Sequence, residues 1–167
     1  MKEVRVPEER VGVLIGEGGE TKKDIQDLTD VELEIKDNLA VIDGEPLDEM
    51  DALNVVKAIG RGFNPDKAVR LVEKDVVLHL MDIKNFADTP NSQERLKGRV
   101  IGRDGETRTH LEKQGNVEIS VYGKTIGIIG YAENIQIVAE SIKMLLQGST
   151  HSTAYQYLEK NQDKIRR

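Results

Sequence analysis

The feature that most constrains this chain is a repeat. Ile15-Gly16-Glu17-Gly18-Gly19-Glu20-Thr21 recurs 86 positions later as Ile101-Gly102-Arg103-Asp104-Gly105-Glu106-Thr107, with five of the seven positions identical. The same offset carries through Ile25/Leu111, Val31/Val117, Leu33/Ile119, Ile42/Ile128, Gly44/Gly130, Val56/Ile142, Ile59/Leu145 and Gly62/Gly148 without a gap. In a chain of 167 residues, self-similarity at that spacing describes two copies of one small domain.

Both copies read in the same order. Alternating strands open them at Lys2–Val6 and about Val76–Ile83, a short helix leads to the glycine loop, and a second helix follows from Glu20 or Glu106. Two strands come next in each copy, joined by Asp37-Asn38 and by Tyr122-Gly123-Lys124, both good turn sequences. A longer amphipathic helix closes the unit, with Leu47, Met50, Leu53, Val56 and Ile59 in the first copy and Ile135, Val138, Ile142 and Leu145 in the second at helical spacing. The second copy has extra residues before its glycine loop, including Asp88-Thr89-Pro90-Asn91-Ser92, which suits a surface loop entering a helix N-cap.

Glycine loops of this kind point to a ligand with a sugar-phosphate backbone. Without Cβ atoms the main chain comes close to its partner and takes up dihedrals barred to other residues. Each loop also opens a helix whose first N–H groups lack intrahelical acceptors, and the helix dipole favours a phosphate there. Ile101, Leu111, Val117 and Ile119 are expected to floor an apolar groove for bases. With two Phe and four Tyr in the chain, stacking on an aromatic sheet is poorly supplied.

Charge separates the two copies. Residues 1–73 hold 10 Lys and Arg against 18 Asp and Glu, whereas residues 74–167 hold 14 against 12. Arg95, Lys97, Arg99 and Arg103 of the second copy stand where the first has Glu9, Val11, Val13 and Glu17; Lys22 and Arg108 are basic in both. A glutamate in the first loop repels phosphate and Arg103 in the second attracts it. The second copy is therefore expected to grip a nucleic-acid strand through Lys97, Arg99, Ile101, Gly102, Arg103, Asp104, Gly105, Arg108, Leu111 and Ile119. The first loop, Gly16, Glu17, Gly18 and Gly19 with Lys22, is expected to be secondary: structural or protein-facing, or a weak nucleic-acid contact, its acidic surface otherwise serving solvation alone.

Strand, helix, Ile-Gly-x-x-Gly, helix, strand, strand, helix resembles the type I KH domain. The implied fold class is α+β: two tandem type I KH domains (β-α-α-β-β-α), each a three-stranded antiparallel sheet packed with helices, plus a C-terminal helix. The expected boundaries are 1–63 for the first domain with its degenerate acidic loop, 64–73 for a linker helix, 74–148 for the RNA-gripping domain, and 149–167 for a C-terminal helix and basic tail. Three stretches carry a more specific resemblance: Lys97-Gly98-Arg99-Val100-Ile101-Gly102-Arg103-Asp104-Gly105-Glu106-Thr107-Arg108, Ile119-Ser120-Val121-Tyr122-Gly123-Lys124-Thr125, and Leu145-Leu146-Gln147-Gly148-Ser149-x-His151-Ser152-Thr153-x-Tyr155. On them the whole chain resembles the archaeal KH-repeat proteins related to the eukaryotic Krr and Dim pre-ribosomal factors. The resemblance implies binding of single-stranded RNA near the 3′ region of small-subunit rRNA, in assembly or processing of that subunit, with a ribosome-assembly or translation-factor protein on the acidic first domain. A protein scaffold built on two degenerate KH folds, or an RNA-binding accessory subunit of a processing complex, are the alternatives.

Composition narrows the rest. The chain has no cysteine, which excludes disulfides, thiolate nucleophiles and zinc ribbons. His79, His110 and His151 show no ligand spacing, no Walker-type lysine follows either loop, and the carboxylates form no distinctive pair. A non-enzymatic protein with no metal or cofactor is expected. No stretch reaches the roughly 20 apolar residues of a membrane helix, so no membrane association and a cytoplasmic location are expected.

Overall fold

The computed structural model describes residues 1–167. They divide into two compact units, Met1–Val76 and Val77–Arg167. The first contains β1 (Lys2–Arg5), α1 (Glu8–Ile15), α2 (Glu20–Thr29), β2 (Glu32–Lys36), β3 (Leu39–Asp43), α3 (Pro46–Gly60) and α4 (Pro65–Ala68). β4 (Val76–Asp82) leads into the second, followed by α5 (Pro90–Ile101), α6 (Glu106–Gly115), β5 (Glu118–Tyr122), β6 (Thr125–Tyr131), α7 (Ala132–Leu146) and α8 (His151–Lys160). The class is α+β, with one three-stranded sheet per unit, ordered β1-β3-β2 and β4-β6-β5. β3 runs antiparallel to both neighbours, from Lys2↔Ile42 to Arg5↔Leu39 and from Glu32↔Asp43 to Lys36↔Leu39. β5 and β6 pair antiparallel from Glu118↔Ile129 to Tyr122↔Thr125. No helix is long and apolar enough to cross a membrane.

The repeat is a repeat of burial as well as of letters. Ile25/Leu111, Leu33/Ile119, Ile42/Ile128 and Ile59/Leu145 are all core side chains. α2 and α6 stop in the same manner, at Asp30 and Asn116, which hold the left-handed conformation at φ 56° and 51°. Short polar side chains tolerate that conformation best after glycine.

One sequence expectation is corrected in α3. Leu47 and Met50 are exposed, at 81% and 43%, and the buried face is instead Ala52, Val55, Val56 and Ile59. In the first turn the inward seat belongs to Glu49, the counterpart of Ile135. Its carboxylate accepts hydrogen bonds from the Gly44 N–H at 3.1 Å and meets the Met1 ammonium at 2.7 Å. These partners, the ammonium foremost, hold its pKa below the ordinary carboxylate value. A carboxylate with such partners can be buried, and the apolar residues beside it on the helix then turn outward.

Segment 64–73 lies inside the first unit, and its geometry continues the repeat. Asn64 caps α4 by accepting from Asp66 N–H, as Thr150 caps α8 by accepting from Thr153 N–H. Ala68 and Ala154, again 86 apart, are both fully buried. α4 gives way to a 3₁₀ turn at Val69–Val72, whereas α8 runs on to Lys160.

The second unit is also extended before α5. A 3₁₀ turn at Ile83–Asn85 buries Ile83, and Thr89 and Ser92 form a reciprocal cap on α5 with Pro90 at the first helical position. Fixed φ suits proline to that position, and its missing N–H is no loss there.

Candidate nucleic-acid interface

Each glycine loop is a short bridge between two helices. α5 ends where Gly102 takes φ 75° and ψ 174°, with its N–H on the Gly98 carbonyl at 2.8 Å. Gly105 then donates to the Gly102 carbonyl at 3.2 Å and stands at φ 76° as the residue before α6. At Gly102 two independent facts demand glycine: the dihedral, and Thr107, whose side chain is buried where a Cβ would have to go and whose N atom lies 2.7 Å from that point. Asp104 between them is left-handed at φ 55°. The first loop traces the same path through Gly16 (φ 77°), Gly18 (φ 62°) and Gly19 (φ 79°).

No side chain caps the start of α6, where the Glu106 N–H turns back to the Arg103 carbonyl, and a ligand at this bend meets the positive end of the helix dipole. Arg103 is exposed on the loop, and the Arg108 guanidinium reaches to within 4.0 Å of where a Gly105 Cβ would stand. The structure therefore brings together Gly102, Arg103, Asp104, Gly105 and Arg108, with half-buried Ile101 beside them. In the first unit Gly16, Glu17, Gly18 and Gly19 reproduce the backbone, with Glu17 exposed and Lys22 half-buried.

Four of the expected contacts are buried or partnered within the fold. Leu111 and Ile119 are 0% and 3% exposed; they belong to the core beneath the surface and support it from below, as does Val117. Lys97 is only 19% exposed and pairs with Glu94 at 3.2 Å. Arg99 is spent inside the fold. Its Nε donates to the Leu145 carbonyl at 3.0 Å and its Nη2 to the Ser149 carbonyl, closing the end of α7.

Arg99 has a partner in logic, though not in register. In the first unit Arg10 donates to the Ile59 and Phe63 carbonyls, both at 2.8 Å, and these are the residues 86 positions before Leu145 and Ser149. The two units close the same helix end with an arginine taken from different turns of the preceding helix. Arg99→Ala is expected to destabilise the second unit by about 2 kcal/mol, the scale of hydrogen bonds from a charged donor. Arg99→Lys should restore only part of it, because one ammonium cannot span two carbonyls as a planar fork does. Thermal denaturation of the two variants checks this.

Aromatic residues near the loop come from the C-terminal helix α8, for which no ligand contact is expected from the sequence. The Tyr155 ring on α8 lies 4.1 Å from that of His110 on α6, centroid to centroid, and meets His151 edge-on at 6.1 Å. A His151 ring nitrogen is 2.9 Å from the Arg99 carbonyl oxygen. The signal available for these was the repeat itself, which runs on past Gly148 to the capped helix. The basic tail is likewise engaged: Arg167 donates to the Lys113 and Gln114 carbonyls at 3.0 and 3.3 Å.

Comparison with known proteins places this geometry. Residues 77–163 match the eukaryotic type KH domain (KH domain type I), and residues 1–58 match the KH domain. A KH domain-containing protein of Methanocaldococcus jannaschii is 44% identical, covering 98% of this chain and 75% of the relative. Pre-rRNA-processing protein PNO1 of Chaetomium thermophilum is 31% identical over 75% of this chain, which spans 49% of that relative's length. Among solved structures, Dim2p from Pyrococcus horikoshii superposes with a TM-score of 0.89 at 37% identity, covering 95% of this chain and 98% of that one. The a/eIF2α–aDim2p–rRNA complex from the same organism matches with a TM-score of 0.92 at 35% identity, over 98% of this chain and 94% of that one.

Proposed function

The chain belongs to the KH-domain family, and we propose that it carries two tandem type I KH domains, of which the second holds single-stranded RNA. The proposed domains are 1–63 and 74–148, with 64–73 and 149–167 as the helical segments that follow them. The observation that carries the reading is the loop Gly102–Gly105, where the start of α6, free of any side-chain cap, meets Arg103 and Arg108 on one exposed bend. A phosphate fits there by charge and by access. The RNA proposed is small-subunit rRNA near its 3′ region. The names of the fungal relatives, which refer to pre-rRNA processing, and the rRNA in the Pyrococcus complex support that choice. The role proposed is that of a non-enzymatic assembly or processing factor. The a/eIF2α in the same complex supports a translation-factor partner, with the acidic first domain as its proposed seat.

A salt titration tests the binding. With Lys97 and Arg99 engaged elsewhere, two cations remain at the loop, and neutralising about two phosphates gives a slope of about −1.4 for log affinity of a tetranucleotide against log salt. RNA affinity that is absent at low salt, or indifferent to salt, would overturn the proposal in favour of a protein scaffold.

A further inference from the structure

The second unit has four additions that its duplicate lacks. They are the extra segment Ile83–Thr89; Arg95 and Arg99 in place of Glu9 and Val13; Arg103 in place of Glu17; and the longer α8 with His151 and Tyr155 in place of Pro65 and Val69. All of them line two clefts along α5. The first, about 500 Å³, joins Gly98, Gly102 and Arg103 to His151 and Tyr155. The second, about 650 Å³, is lined by Phe86, Ala87, Ser92, Leu96 and Gln147 among others. Arg95 and Arg99 line both, so the clefts adjoin along the helix from the glycine loop toward its N-terminus.

Each cleft is large enough for a small ligand, and each combines the same chemistry. Arg95 is exposed between them. The first is lined by the Tyr155 and His151 rings, and the second by Phe86, half-buried against the core, beside the capped start of α5, whose first turn contains no acid. One carboxylate opposes in each, Glu106 in the first and Asp88 in the second. A cationic groove with planar side chains along it suits a single-stranded nucleic acid, with phosphates on the arginine and bases on the rings. In the first unit the acids Glu9 and Glu17 stand where Arg95 and Arg103 do, and the same path would repel phosphate.

We infer that the RNA path does not end at the glycine loop but continues along α5 through both clefts, which hold about two nucleotides beyond the four taken by a KH loop. This rests on the RNA-binding reading above.

The test uses the full chain with single-stranded RNA of four and six nucleotides of one repeated base, in wild type, Arg95→Gln and Gln147→Glu. Both substituted side chains are exposed, so the fold should be retained, which circular dichroism checks. A hexamer offers three registers of a tetramer and gains about threefold from that alone if the loop is the whole site. The track predicts a gain of at least about tenfold in wild type, with a salt slope steeper by about 0.7 as Arg95 neutralises a further phosphate. Either substitution should return the hexamer-to-tetramer ratio to about threefold. A wild-type gain of threefold or less, or a full gain kept by Arg95→Gln, overturns the track and leaves the loop as the site. Failure of wild type to bind either RNA overturns the RNA-binding reading itself, and the track falls with it.

Discussion

Arg103→Glu is expected to weaken tetranucleotide binding at low salt by roughly 30-fold while leaving the melting temperature of the chain nearly unchanged. Arg103 is exposed on the bend between α5 and α6, so the change alters charge and little packing. Losing an attraction to phosphate and adding a repulsion of similar size comes to about 2 kcal/mol at an exposed site, and the salt slope should fall by about 0.7 with the lost contact. The matched experiment is Glu17→Arg. It places the second loop's cation on a backbone of nearly identical dihedrals, so it isolates charge from shape. A modest rise in total RNA affinity is expected. Unchanged binding by Arg103→Glu, or a larger effect from the first loop, would reverse the division of labour between the units.

The chemistry of that bend could be read from the letters because it is local. Gly102, Gly105 and the helix they open are adjacent in sequence, and a duplicated motif fixes which residues are equivalent. Charge at equivalent positions then compares like with like. What could not be read is tertiary. Arg99 and Lys97 look like loop cations by proximity along the chain, but Arg99 turns to the carbonyls ending α7 and Lys97 to Glu94. Leu111 and Ile119, expected to floor an apolar groove, lie in the core, because periodicity marks a buried face without saying how deep it lies. Leu47 and Met50 fail for the opposite reason: Glu49 takes the inward seat with a partner at each side, which no pattern of apolar spacing reveals. Tyr155 was legible in principle. The offset that equates Asn64 with Thr150 and Ala68 with Ala154 carries the duplicated unit through α4 and α8, and in the second unit this final helix puts its ring beside the glycine loop.

The same final segment sets the second large effect, on stability rather than binding. Ile165→Asp is expected to destabilise the second unit by about 3 kcal/mol, the loss of a buried aliphatic side chain together with the cost of a carboxylate in its place. Ile165 is 8% exposed and packs in the core with Ala154 and Leu158. Its neighbour Arg166 is held through the main chain: the fully buried Asn134 side chain donates to the Arg166 carbonyl and accepts from the Arg166 N–H, both at 2.8 Å. Asn116, the left-handed residue that stops α6, donates to the same carbonyl at 3.0 Å. The segment thus docks as one piece, and its members should not act independently. Asn134→Ala alone should cost about 1–2 kcal/mol by stranding the Arg166 main chain. Added to Ile165→Asp, it should cost much less, because the segment it holds has already left. Denaturant unfolding of the two single variants and the double variant measures this coupling. Additive losses would mean that Asn134 and Ile165 hold different structures. Tetranucleotide affinity measured well below the melting temperature should change little in either single variant, since neither side chain lies at the glycine loop, and that contrast separates the segment's work of holding the unit together from Arg103's work of holding the ligand.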